Sequence, residues 1–75
     1  MKKALYEVVF KVTETCQNGN ERTFKKHVYM PPFDEKTRKH ITKEEQIRRG
    51  TEALEAEHYY NIQYLRTGFT ELTFA

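Results

Sequence analysis

At 75 residues and a formal charge of +2, this chain has room for one small domain with a modest core. Its single cysteine, Cys16, excludes an intrachain disulfide and has neither a CxxC partner nor metal-ligand spacing. No stretch approaches the ~20 apolar residues needed to span a bilayer, and Glu7 and Lys11 interrupt the N-terminal apolar run where a signal peptide would be continuous. The expectation is a single compact domain over 1–75, cytoplasmic and without membrane contact. Tight internal fit, or pairing with a second copy as a homodimer, would compensate for the small core.

Charge is unevenly distributed. Residues 1–43 hold ten Lys/Arg against five Asp/Glu, and residues 44–75 hold three against six. Such polarity suits contacts with a charged partner better than the footprint of a uniformly basic nucleic-acid binder.

Residues 4–15, ALYEVVFKVTET, alternate with period two: Tyr6, Val8, Phe10 and Val12 share one face, Leu5, Glu7, Val9, Lys11 and Thr13 the other. That pattern predicts a strand. Asn18-Gly19 then marks a hairpin, and residues 22–30 make a second strand with Phe24, Lys26, Val28 and Met30 on one side. A three-residue loop over 18–20 pairs Phe10 with Val28 and Val8 with Met30, which keeps the apolar faces together. It also sets Cys16 opposite Arg22. Pro31-Pro32 ends the second strand. Residues 31–41 form a long polar and basic connection, either a functional loop or a flexible crossover, with Phe33 expected to plug back into the core.

Thr42 to His58 predicts the helix. Thr42 and Glu45 form a capping box, and Ile47, Gly50, Thr51, Leu54 and His58 fall on one stripe. Gly50 costs about 1 kcal/mol of helix propensity, which implies close approach to a sheet. On the outer face, Glu44–Arg48 and Glu45–Arg49 have the favourable i,i+4 orientation. His58 would cap the helix or sit satisfied in the core. After the helix, Tyr60, Ile62 and Tyr64 alternate, as do Thr70, Leu72 and Phe74. A loop at Arg66-Thr67-Gly68 would pair Ile62 with Leu72 and Tyr60 with Phe74. The predicted fold is α+β, β-β-α-β-β: a mostly antiparallel sheet with one helix on one face. The other face would carry Leu5, Val9, Tyr59 or Leu65 with Glu7, Lys11, Asn61 and Gln63, either as a solvated face or as a contact surface.

Chemistry is sparse. Cys16, His27, His40 and His58 lack any activating context, and no GxGxxG, P-loop, HExxH or GxSxG pattern occurs. No catalytic, cofactor-binding or metal-binding residue is expected, so the chain reads as a non-enzyme. Residues 22–43 hold seven basic residues against two acids. Lys25, Lys26, Lys36, Arg38, Lys39 and Lys43 would be the contacts of a small nucleic-acid-binding regulator. Against that, no RNP-type signature, GXXG loop or recognition helix is present, and the helix is acidic outside. The leading expectation is a protein-binding module that inhibits or regulates a host macromolecule by occluding its surface. Its anchors would be aromatic and cationic side chains such as Tyr29, Phe33, Lys36, Arg38, Lys39, Lys43, Tyr59 and Arg66.

The hairpin, the basic crossover, the TKEEQ-capped helix with small residues at its centre and the YNIQYLR strand resemble small phage-encoded inhibitor and anti-defence proteins. Some of these inhibit host RNA polymerase, and others block CRISPR nucleases. The resemblance covers architecture and size over most of the chain, with RTGFTELTFA as an extra element beside the simplest β-β-α-β members. It carries over no functional residue. What it implies is a phage- or mobile-element-encoded inhibitor without enzymatic activity.

Overall fold

The alternating stretch near the N-terminus becomes the central strand of the sheet. The computed structural model describes residues 2–73, Lys2 by its backbone alone. β1 (Lys2–Thr15) pairs antiparallel with β2 (Glu21–Met30) on one side and β3 (Tyr60–Thr73) on the other, in the order β2-β1-β3. A helix, α1 (Lys43–Ala56), lies across one face. The fold is α+β with an antiparallel sheet and one helix packed on it, built as β-β-α-β over the described residues. No helix among them is long and apolar enough to cross a membrane.

The even-numbered face of β1 makes the core. Val8, Phe10 and Val12 are fully buried with Met30 and Leu54, and Tyr6, Phe24, Val28, Ile47, Tyr59, Ile62 and Tyr64 close around them. Tyr59 thus lies on the helix side, not on the opposite face. The first loop has the expected three residues, but at 17–19: the Cys16 amide donates to the Asn20 carbonyl (2.7 Å) and the Gly19 amide to the Cys16 carbonyl (2.9 Å). The left-handed position that ends such a loop falls on Gly19, with φ of 86°, where glycine alone is unstrained. This moves every cross-strand pair by two residues. Val8 meets Val28, Phe10 meets Lys26, and Arg22 stands opposite Glu14 instead of Cys16. A shift of two leaves the faces unchanged.

The second hairpin does not form. Residues 60–73 run as one strand along almost all of β1; Phe74, its expected partner for Tyr60, lies outside the described residues. Gly68 does not adopt positive φ, so it supplies no turn. A continuous partner strand satisfies the backbone groups along β1, which a local hairpin would leave open. The mismatch in pattern is absorbed by register shifts between Val9 and Phe10 and between Lys11 and Thr13. At the first, Leu65 is the unpaired extra residue between Tyr64 and Arg66.

Gln46, Gly50 and Leu54 are the buried stripe of α1. A Cβ on Gly50 would lie 2.4 Å from the Phe10 ring, so the glycine is what lets the helix seat on the sheet. Thr42 Oγ1 accepts the Glu45 amide at 3.2 Å, but the Glu45 carboxylate turns outward to Arg48 and Arg49 instead of closing the capping box. Its two guanidinium partners hold the Glu45 carboxyl down at about 2. Arg48 pairs with Glu45 and Glu52, not with Glu44. At the other end, the His58 amide reaches the Glu55 carbonyl (3.0 Å) and the Tyr59 amide the Leu54 carbonyl (3.1 Å). That is a Schellman ending with His58 in the left-handed position, φ 71°. His58 is therefore exposed and not part of the core stripe.

Candidate functional site

Strand alternation places Lys11, Lys25, His27, Tyr29 and Arg66 on the side of the sheet away from α1. Two contacts fix this assignment: His27 Nδ1 lies 3.0 Å from Glu7 Oε1, and the Thr13 and Thr23 hydroxyls are 3.1 Å apart. Arg66 extends along the same side past Gly68, where a Cβ would be 3.5 Å from its Nη1. Leu5 and Val9 also point this way yet are buried, Val9 to 1% exposure. Val9 is flanked in register by His27 and Arg66, whose long side chains cover it.

The electrostatics of this face are unbalanced. Lys11 stands directly opposite Lys25, a pair whose Cα atoms sit ~5 Å apart in an antiparallel ladder. Arg66, opposite Val9, is diagonal to both Lys11 and Glu7, and its guanidinium lies toward Gly68, the register partner of Glu7. Like charges directly opposed destabilise a sheet. The nearby carboxylate, Glu7, is hydrogen-bonded to His27. The next, Glu21, is four residues up β2 from Lys25 at the hairpin end, ~13 Å away along the strand. Among the described residues, none of Lys11, Lys25 and Arg66 has an ion-pair or aromatic partner. Tyr29, beside Glu7 on this face, is 52% exposed.

The basic segment 22–43 does not form one patch. Lys25 and Lys26 are neighbours in sequence and therefore lie on opposite faces; the Lys26 ammonium sits 5.5 Å from the centre of the Tyr59 ring. Tyr59 is half-buried between that ammonium and Phe24. Lys43 covers the Tyr64 ring at 5.2 Å. Lys36, Arg38 and Lys39 are exposed on the connection between β2 and α1, which is tightly built. Asp34 Oδ1 accepts the amides of Lys36 (2.8 Å) and Thr37 (3.0 Å), and Oδ2 accepts Arg49 Nη2 (2.5 Å). The Thr37 amide first, then Arg49, holds the Asp34 carboxyl below the usual carboxylate range. Phe33 does not enter the core. It is exposed, bridges to His40 and stacks on its ring at 4.3 Å, because Ile41, buried and bonded through its amide to the Pro32 carbonyl (2.9 Å), takes the inward place.

The candidate residues thus separate into three groups: Tyr29, Lys25 and Arg66 on the open face; Phe33, Lys36, Arg38 and Lys39 on the loop; Lys26, Lys43 and Tyr59 on the helix side. Lys11, which the sequence places on a candidate contact face, and His27, which it offers only as a reactive side chain, join the open-face group; neither is among the expected partner-binding residues. Compared with known proteins, the chain matches no family model, and no curated protein or solved structure is significantly similar to it.

Proposed function

We propose that this is a non-enzymatic binding protein that inhibits or regulates a macromolecule by covering part of its surface, and that the open face of the sheet is the covering surface. The observation that carries this reading is the opposed pair Lys11 and Lys25 beside Arg66. An isolated domain gains nothing from uncompensated cations on adjacent strands; an anionic partner turns the same arrangement into attraction and steering. The proposal extends to a host macromolecule as the target and to a phage or mobile element as the source, acting in the cytoplasm. A second copy would join at the outer edge of β3. Over 14 residues this strand carries only Arg66 and Glu71 as charges, whereas the β2 edge is guarded by Arg22, Lys25 and Lys26.

Affinity capture from bacterial lysate, with the unaltered chain beside Lys11→Glu, tests the reading. A near-stoichiometric partner retained by the former and lost by the latter supports it. A partner that both retain would remove the open face from the site.

A further inference from the structure

We infer that the partner of the open face is a single-stranded nucleic acid, its phosphates on Lys25, Lys11 and Arg66 and a base against Tyr29. This rests on the reading that the open face is the contact surface, and it names the chemistry of what binds there. Charge is the first argument. The three cations stand on three successive strands, and strands are spaced ~4.8 Å apart, so they form an oblique track ~10 Å wide across the sheet. A polymer with a regular anionic backbone matches such a track.

The order of polar and apolar groups is the second argument. A protein–protein interface has an apolar centre depleted of charge and a polar rim. Here the charges occupy the central and flanking strands, and Val9 between them is buried at 1% exposure, so it offers no apolar centre to a partner. The half-exposed aromatic ring, Tyr29, stands on the same strand and face as Lys25, four residues (~13 Å) along it and opposite Glu7. A positive track with an aromatic platform beside it is the recurring solution for single strands, because every base has a π-face.

Geometry separates single strand from duplex. Reading a duplex takes a helix or a two-stranded ribbon in the major groove. The helix of this protein is on the far side and carries five glutamates over residues 43–57. Phosphates of a duplex could touch the lysines, but its stacked bases would leave Tyr29 without a role.

Fluorescence anisotropy with labelled oligo-dT, oligo-U and a DNA duplex of the same length, over a salt series, tests the inference. Circular dichroism confirms that each variant is folded, and Lys11→Gln provides a milder neutral change. The expected result is single-strand binding whose log affinity falls with log salt at a slope of about −2, three phosphates at ~0.7 each. Lys11→Glu, Lys25→Glu and Arg66→Glu each weaken binding and flatten the slope, while Tyr29→Ala weakens it roughly tenfold without changing the slope. The double variant Lys36→Glu with Lys39→Glu leaves binding unchanged. The ratio of oligo-dT to oligo-U affinity then tells whether DNA or RNA is preferred.

Duplex bound as tightly as single strand, or binding lost through the loop variant, overturns the inference. So does the absence of oligonucleotide binding together with lysate capture of a nuclease-resistant protein that Lys11→Glu releases. In that last case the open face remains the contact surface and only its partner changes. Capture indifferent to Lys11→Glu sinks both.

Discussion

On the helix side of the sheet, cations are matched: Arg22 has Glu14 and the Phe24 ring, Lys26 has Tyr59, Lys43 has Tyr64, and Arg48 and Arg49 share Glu45. On the open side Lys11, Lys25 and Arg66 stand on adjacent strands without such partners. The same alternating strand, β1, supplies both faces, so neither composition nor strand length accounts for the difference. The helix side is arranged for its own stability. The open side is arranged at some cost to stability, and a cost of that kind points to something outside the chain.

The largest test of this contrast is in the core. Leu54→Ala removes a side chain that is 2% exposed and should cost about 2–4 kcal/mol in a denaturant melt. Gly50→Ala should cost about 1–2 kcal/mol: the added methyl meets the Phe10 ring, and the gain in helix propensity offsets only part of that. If Gly50→Ala proved stabilising, α1 would not be seated on Phe10, and the helix side would lose its claim to close fit. Neither substitution should alter oligonucleotide binding by folded protein, since both lie under the sheet.

Acid separates the faces in a different way. Glu45 is held at about 2 by Arg48 and Arg49, below its ordinary 4.5, and Asp34 is likewise lowered from 3.8. A depressed carboxylate binds its proton more readily in the unfolded chain. Its stabilisation is therefore complete above the ordinary value and lost as pH falls through the folded one. Stability should decline from about pH 4.5 toward 2, and Glu45→Gln should flatten that limb of the titration. Replacing Lys11 or Lys25 should leave the shape of the limb alone, because neither touches Asp34 or Glu45. A Glu45→Gln protein with an unaltered acid limb would show that the pairs of Glu45 with Arg48 and Arg49 are not formed in solution.

How much of this was legible depended on which physical signal each residue carries. Period-two alternation identified both faces of β1 and the inward side of β2, and the thinness of the helical stripe together with Gly50 announced close contact with a sheet. What alternation does not carry is register. With the loop at 18–20, Lys11 faces His27 and Lys25 faces Thr13, and no clash of charge is visible. Moving the loop to 17–19, which the conformational freedom of Gly19 favours, sets Lys11 against Lys25. The signal was present in which loop position needs positive φ. Gln46 was invisible for a related reason: a polar side chain is not counted in an apolar stripe. Yet it is buried with its amide nitrogen on the Ile41 carbonyl (3.1 Å) and its oxygen accepting from Thr67 (2.7 Å). Gly68 misled in the opposite direction. A glycine after Arg-Thr looks like a turn, but the long open side of β1 offered residues 60–73 a better set of hydrogen bonds than a local hairpin.

The smallest predicted effect bears most directly on the comparison. Lys25→Thr replaces one member of the opposed pair with a β-branched residue suited to a strand. It removes repulsion against Lys11 without touching the core or any ion pair. Chemical denaturation should show the variant more stable than the parent by about 0.2–1 kcal/mol, the range for cross-strand pairs. The gain should shrink as salt screens the lysines. Arg22→Thr, the matching change at a cation that already has Glu14 opposite it, should bring no gain. If Lys25→Thr is neutral or destabilising at low salt, Lys11 and Lys25 do not strain the folded chain, and the charge argument for a partner loses its foundation. If it is stabilising while binding to oligo-dT weakens, a single residue will have separated what the fold needs from what the open face is for.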